Sequence, residues 1–389
     1  MCKIKKLFLF VCVLIITYFI LPVTASADGV EFSEVLNALI EALDSDSLNN
    51  ELDGAWAELN LEEKTFKEKI LSVINGDFSL NYSSALSAIL NIIFSSVRSL
   101  IPILVSVCII ALLYSLLKAF NPDFLSEGTN KVVYFSCYAA ILGLVLYKTF
   151  DVSKACVDSV VSYAKQMNAV FPLMLTVMTA MGATVSASVY QPAVAFLSNG
   201  ITAVFTKAVI PLVGFLIIFS AVSGLTSAIK TEKLSSFVSS VIKWIIGICV
   251  TVFTMFLSIQ GLTAGTYDGI TLRITKYAIG NSVPIVGGFL KDGVDMFLVG
   301  GILIKNALGI CGVVLILAAM LSPLFELIAF GLMLKLAAGL IEPLTDSSIP
   351  NLLTSLSKSL NYIMASVLII SFMYIITVIL LICTGGALL

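Results

Sequence analysis

The sequence predicts an all-α polytopic membrane protein with a cleavable signal peptide, a short acidic helical region outside the membrane, and a bundle of transmembrane helices. Hydrophobic residues make up 59% of the 389 residues, and the mean hydropathy is +1.07. Charged residues make up 12%, about half of the roughly 25% usual in soluble domains. Several apolar runs reach the length of about 20 residues that crosses a bilayer.

Residues 1–27 have the three parts of a secretory signal. Lysines at positions 3, 5 and 6 precede an apolar core, Leu7 to Leu21, and the small residues Ala25 and Ala27 form a cleavage site. The apolar core is short for a membrane anchor, which is the alternative interpretation. We therefore expect the mature chain to begin near Asp28, with the residues after the signal delivered to the extracytoplasmic side.

Residues 28–95 are predicted to form the acidic extracytoplasmic region. Thirteen acidic residues lie between Asp28 and Ile93, against lysines at positions 64, 67 and 69 only. Two stretches, Phe32 to Leu43 and Leu61 to Ile74, carry apolar residues at helical spacing. Helices this short bury little surface alone, so we expect them to pack on each other, on the membrane body or on a partner. Ser79 to Ser96 is expected to be an interfacial helix.

Residues 96–389 are predicted to form the polytopic body, with about seven or eight spans of membrane length. Ser322-Pro323 interrupts one long apolar block, which is either a tight hairpin or a single kinked element. Ala193 to Phe205 is too short to cross and is predicted to be a re-entrant or interfacial helix. The candidate spans are Val97–Leu117, Val132–Phe150, Ala169–Val189, Ala208–Ile229, Lys243–Leu262, Val294–Leu321, Pro323–Ile341 and Leu360–Cys383.

Polar side chains inside the apolar body are the candidate functional residues, because a charge at membrane depth costs at least about 2.5–3.5 kcal/mol. Lys305 and Asn306 lie deepest in the sequence pattern, and Glu326 or Glu342 is the expected counter-ion of Lys305. Two alternatives remain open for Lys305: a pore or relay residue, and a side chain that extends to the membrane interface. The full set of candidates is Lys207, Lys305, Asn306, Glu326, Lys335 and Glu342.

Enzymatic chemistry has little support in the sequence. The chain contains no histidine, which removes the commonest general acid/base and metal-ligating side chain. No phosphate-binding loop, nucleophile elbow or EF-hand motif is present, and no basic footprint for nucleic acid. We expect no catalytic activity, no cofactor and no metal site.

One further segment, YDGITLRITKYAIGNSVPIVGGFLKD from Tyr267 to Asp292, lies between predicted spans. SIQG precedes it and KNALGICG follows it. Together with the signal peptide and the acidic region, this series resembles the stage III sporulation protein AE family of endospore-forming bacteria. The resemblance covers most of the chain, and its motif residues are Asp268, Arg273, Lys276, Pro284, Gly287 and Gly288.

The resemblance implies a permease-like core component of the specialised secretion or feeding channel that links mother cell and forespore during engulfment. It places the chain in the mother-cell membrane around the forespore. The implied partners are ring-forming membrane proteins of the same complex and a cytoplasmic secretion-type ATPase, together with the lipid bilayer and further copies of the chain. The alternatives from the residues are a small-solute carrier with an intramembrane Lys/Glu site, and a purely structural scaffold.

Overall fold

The computed structural model describes residue 40 and residues 65–75, 82–120, 127–225, 231–282 and 286–384. The predicted signal peptide, with Ala25 and Ala27, lies outside these residues, as does nearly all of the acidic region before residue 65. Both stay predictions. The regular elements in the described ranges are all helices, so the all-α prediction is confirmed for this part of the chain.

The short helix α1 belongs to the acidic region, and the longer helices α2 to α8 form the body. Their bounds are α1 Phe66–Ile74, α2 Tyr82–Phe120, α3 Glu127–Ala180, α4 Thr184–Ala195, α5 Ile210–Leu225, α6 Glu232–Ser282, α7 Val286–Ile341 and α8 Ser348–Cys383.

Within the described residues, six helical segments are long and apolar enough to cross a membrane. A polytopic membrane protein is therefore the class that the structure supports. The segments are Ile89–Lys118, Lys131–Ala180, Thr184–Gly224, Glu232–Ser258, Gly293–Ile341 and Ser348–Cys383.

These six segments differ from the eight candidate spans for two reasons. Val294–Leu321 and Pro323–Ile341 belong to one helix, α7. The candidate Ala169–Val189 is wrong as a single span, because α3 ends at Ala180 and α4 begins at Thr184. Helix α3 has 54 residues and α7 has 56, so each is about 80 Å long at 1.5 Å per residue. Helix α7 continues through Pro323, which excludes the tight hairpin. Helix α3 continues through the charged segment after Phe150, because Asp151, Lys154 and Asp158 lie on its exposed face and do not interrupt the helix.

The prediction of a separate short helix at Ala193 to Phe205 is wrong. This segment continues from α4 into α5 through two π-helical stretches, Phe196–Ile201 and Phe205–Val209, with Thr202–Val204 between them. Lys207, which seemed to end the apolar run, is exposed and leaves the helix intact. A π turn widens the helix without ending it, so Thr184 to Leu225 forms one helical run.

Helix α7 forms the centre of the bundle and contacts α1, α2, α3, α6 and α8. Glycines permit its close approach to α3: a Cβ atom on Gly301 would lie 2.5 Å from Sδ of Met181, and one on Gly312 would lie 3.1 Å from Cγ1 of Val170. Later residues of α3 therefore lie beside earlier residues of α7, so the two helices are antiparallel.

A tight turn at Gly182 joins α3 to α4. Gly182 has a φ of 86°, a conformation that favours glycine because it has no Cβ atom. The amide of Gly182 donates to the carbonyl of Thr179 at 3.0 Å, and the amide of Ala183 donates to Met178 at 2.9 Å. This pair of hydrogen bonds is the Schellman motif, which satisfies the last carbonyls of α3 and reverses the chain.

Candidate functional site

Lys305 is fully buried, at 0% exposure, and holds the end of α8. Its Nζ donates to the carbonyl oxygen of Ile382 at 3.0 Å, one residue before α8 ends at Cys383. The last four carbonyls of an α-helix have no partner within the helix, and the negative end of the helix dipole lies there. The ammonium group therefore meets an acceptor that both requires a donor and favours a positive charge.

The glycine one turn after Lys305 makes this contact possible. A Cβ atom on Gly309 would overlap the side chain of Ile382 and lie 3.2 Å from Cε of Met174. Because residue 309 has no side chain, the end of α8 can approach α7 closely enough for Lys305 to reach it.

The prediction that Glu326 or Glu342 is the counter-ion of Lys305 is therefore wrong. Glu326 accepts a hydrogen bond at 2.7 Å from Lys148 of α3, and Lys148 also bonds Asp151 at 2.7 Å. Glu342 is exposed just after the end of α7. The acceptor of Lys305 is a backbone carbonyl at a helix terminus, where the sequence pattern had indicated a carboxylate.

The other polar candidates do not join Lys305 in one site. Asn306 is half-buried, and its Oδ1 accepts no hydrogen bond from the described part of the chain. Lys207 and Lys335 are exposed on the outside of the bundle.

Asp268, the acidic residue of the family motif, caps another helix. It is buried, at 1% exposure, and its Oδ1 and Oδ2 accept from the amides of Val185 at 3.1 Å and Ser186 at 2.9 Å. These amides lie in the first turn of α4, which has no side-chain cap of its own. A carboxylate from α6 thus satisfies two amides at the positive end of α4.

The remaining motif residues are described only in part. Arg273 is exposed on α6. Gly287 and Gly288 fall in the first turn of α7. The side chain of Lys276 and all of Pro284 lie outside the described residues.

Helix α1 packs on the membrane body, one of the three packing alternatives for this stretch. Thr65 begins it with a capping box, in which the Thr65 hydroxyl and the Glu68 side chain each bond the other residue's amide. Lys69 and Ile70 are each 1% exposed, and α1 packs against α7. Lys69 lies near Cys311 of α7.

Sequence reasoning missed the tyrosines that join helices. The hydroxyl of Tyr138 donates to Ala221 at 2.7 Å, linking α3 to α5. The hydroxyl of Tyr374 donates to Leu197 at 3.1 Å, linking α8 to the first π-helical stretch. The available signal was a tyrosine inside an apolar run, because a buried hydroxyl needs a partner.

A small apolar cleft lies between the π-helical segment, α6 and α8. Phe205, Ile246 and Met373 are among its lining residues. No group of three or more potential metal-ligating Cys, Asp or Glu side chains occurs in the described part of the chain.

The fold and these contacts define a polytopic α-helical membrane protein in which buried polar groups fasten one helix to another. The family model of stage III sporulation protein AE matches residues 64–385, and the chain belongs to this family. It is 27% identical over 320 residues to stage III sporulation protein AE of Bacillus subtilis (strain 168), covering 82% of this chain and 80% of that protein. No solved structure matches the chain.

Family membership confirms the resemblance drawn from the motif series. It gives the chain a role in sporulation.

Proposed function

We propose that the chain is a membrane core component of the channel complex between mother cell and forespore, without catalytic chemistry of its own. Its place would be the mother-cell membrane around the forespore, with the region after the signal peptide facing the space between the two membranes. The partners would be ring-forming proteins of the same complex and a cytoplasmic secretion-type ATPase.

The observation that carries this proposal is the structural use of the buried charges. Lys305 holds the end of α8, and Glu326 holds α3 through Lys148. Lys305 and Glu326 lie 21 positions apart on α7, which is about 32 Å along a helix. They do not form one coupled Lys/Glu site, which counts against a carrier that uses both residues.

The anchoring of α1 supports a role in an assembly. Because Lys69 and Ile70 are buried and α1 packs against α7, this part of the acidic region is held at a defined place on α7. A helix held in this way would give other proteins a fixed surface to bind. A small-solute carrier has little need of such a region.

Purification from sporulating cells tests the proposal. The full-length chain, tagged at its C-terminus, would be solubilised gently and its particle mass and protein composition measured. We expect a large particle that contains a secretion-type ATPase and other membrane proteins with signal peptides. An unrelated tagged polytopic protein from the same cells is the control and should recover none of them.

A monomer or dimer without these proteins would contradict the proposal if other membrane complexes survived the same solubilisation. Uptake assays in proteoliposomes would then be the next measurement, with Lys305→Met as the first variant.

A further inference from the structure

We infer that the hairpin from Asp151 to Lys207, formed by the end of α3, by α4 and by the π-helical stretches, projects from the membrane as a water-facing arm. The surface of α3 that contacts lipid, which we call the belt, would then end at Phe150. The arm includes 30 residues of α3, Asp151 to Ala180, and is therefore about 45 Å long. This inference concerns how the bundle sits in lipid and does not depend on the proposed channel role.

One continuous exposed face of α3 changes character at Phe150. Before this point its large exposed side chains are apolar or aromatic: Val132, Phe135, Leu144, Tyr147 and Phe150. After it, at intervals of one or two helical turns, the exposed side chains are mostly polar: Asp151, Lys154, Asp158, Lys165, Asn168, Thr176 and Thr179. The apolar part, Val132 to Phe150, is about 28 Å long, close to the roughly 30 Å of a bilayer core.

The neighbouring helix shows the same change in reverse. Along α4 and the π-helical stretches the exposed polar side chains are Thr184, Ser188, Gln191, Asn199 and Lys207. Exposed large apolar residues return on α5 at Phe215 and Ile218. Among the described residues between Phe150 and Phe215, Val185 is the one large apolar side chain that is exposed.

The two changes occur at the same height in the bundle. The hydroxyls of Tyr138 and Tyr134 on α3 bond the carbonyls of Ala221 at 2.7 Å and Gly224 at 3.1 Å on α5. Because α3 and α5 are antiparallel, a count forward along α3 and an equal count back along α5 from these contacts place Asp151 level with about residue 208. A single plane therefore separates apolar from polar surface on both helices.

Contact of this polar surface with lipid would be energetically unfavourable. Each charged side chain that faces hydrocarbon costs at least about 2.5–3.5 kcal/mol, and Asp151, Lys154, Asp158 and Lys165 share one exposed face. Water outside the bilayer removes this cost for the whole face.

The central helix agrees with this boundary. Lys148 and Glu326 are in contact, so the part of α7 beyond Glu326 lies level with the apolar part of α3. The exposed large apolar residues of α7 all belong to that part: Ile328, Leu332, Leu336 and Leu340. Lys335 is exposed on the same part, where its long apolar stem can lie along the helix while the ammonium group extends toward water. The earlier part of α7, which lies beside the arm, exposes no large apolar side chain from Val294 to Phe325.

The arm lies on the same side of the membrane as the acidic region. Helix α1 packs against α7 with Lys69 near Cys311, and the adjacent Gly312 faces Val170 in the middle of the arm. If the predicted signal peptide exports the acidic region, it also places the arm outside the cytoplasm.

The belt is uneven around the bundle. On α6 exposed large apolar side chains occur from Leu234 to Met255, and again at Ile274 and Tyr277. The Nζ atom of Lys243 lies 5.9 Å from the ring centre of Tyr362 on α8. Because α8 is antiparallel to α7, Tyr362 lies at about the level of Glu326, which is the base of the arm. The part of α6 that follows Lys243 therefore lies beside the arm. The lipid contact therefore extends further along α6 than along α3.

Cysteine labelling tests the arm. In the full-length chain without its native cysteines, Asp158→Cys, Lys165→Cys and Ser188→Cys probe the arm, while Phe135→Cys, Leu144→Cys and Phe215→Cys probe the belt. Asn75→Cys, at the exposed end of α1, reports the side of the acidic region. Sealed right-side-out and inverted vesicles from cells without other sporulation proteins would be treated with a polyethylene glycol maleimide too bulky to enter a channel.

We expect the arm cysteines to react as fast as Asn75→Cys and from the same side, and the belt cysteines to react only after denaturation. Arm cysteines that react as slowly as the belt would overturn the inference. Arm cysteines that react with a small maleimide but not with the bulky one would also overturn it, because they would line an enclosed path. Neither result bears on partner recovery from sporulating cells, so this inference and the proposed function can fail separately.

Discussion

Lys148 and Glu326 join the two longest described helices, with Nζ of Lys148 2.7 Å from Oε1 of Glu326. Both side chains are largely buried, at 12% and 22% exposure. The pair lies where the exposed face of α3 changes from apolar to polar. It thus sets the register of α3 against α7 at the level where we place the membrane surface.

A double-mutant cycle of Lys148→Met and Glu326→Gln should show a coupling of about 0.5–3 kcal/mol in the free energy of unfolding, as for residues in direct contact. Thermal unfolding in a mild detergent is the measurement. The control cycle is Lys154→Met with Asp158→Asn, an exposed pair on α3, for which we expect a coupling of at most about 0.5 kcal/mol. Equal coupling in the two cycles would contradict the contact between α3 and α7.

Lys305→Met should loosen the last turn of α8, because the carbonyl of Ile382 loses its donor. The loss of a buried ammonium also removes its desolvation cost, so the local effect should exceed the global change in stability. Amide hydrogen exchange from Leu380 to Thr384 is the measurement. Lys358→Met, at an exposed position of the same helix, is the control, and unchanged protection in Lys305→Met would exclude the capping role.

Gly309→Ala should lower the free energy of unfolding by about 1–3 kcal/mol, as overpacking does in a filled core. The new methyl group would overlap the side chain of Ile382. Gly339→Ala, on the same helix with no atom within 4 Å of the added Cβ, is the matched control. It should be neutral or stabilising, because alanine favours the helix over glycine. Similar thermal midpoints for the two variants would refute the close approach of α8.

Asp268→Ala should cost about 0.5–2 kcal/mol, the usual effect of losing a helix N-cap. Asp268→Asn should recover part of this loss, because one amide oxygen can still accept from Val185 or Ser186. Exchange rates of these two amides are the measurement, and Arg273→Ala on the same helix is the control. If the amides stayed protected in Asp268→Ala, the carboxylate would not be the cap.

Asp346 should make the contact between α2 and the loop before α8 sensitive to acid. Hydrogen bonds from Lys118 and from Tyr114, each at 2.7 Å, hold the pKa of the Asp346 carboxyl below its usual value. A lowered folded-state pKa means that the stabilisation is present above the unfolded-state pKa and is lost as the pH falls through the folded-state pKa.

We therefore expect amide protection of the loop from Glu342 to Ser347 to hold near pH 5 and to decrease in stronger acid. The effect should be small, because the Lys118 and Asp346 side chains are about half exposed, at 56% and 50%. The Asp346→Asn variant should not show this decrease in amide protection in acid. A decrease of the same size in the variant would assign the acid sensitivity to another group.

Local features of the sequence were sufficient for the class of protein. Hydropathy depends on residues that are adjacent in the chain, so membrane-length helices could be recognised without a fold. The motif series around Asp268 was sufficient for the family. The ends of the helices were harder to predict from the sequence. A charged segment such as Asp151 to Lys165 resembles a loop, whereas in the structure its charged side chains occupy one exposed face of α3.

The partners of the buried groups depended on the tertiary structure. Lys305 reaches Ile382, 77 positions along the chain, and Lys148 reaches Glu326, 178 positions away. A carboxylate in the sequence is a visible counter-ion for a lysine, whereas a free carbonyl at the end of a helix has no side-chain signature. Which of these acceptors a buried ammonium meets is decided by the helix that packs against it.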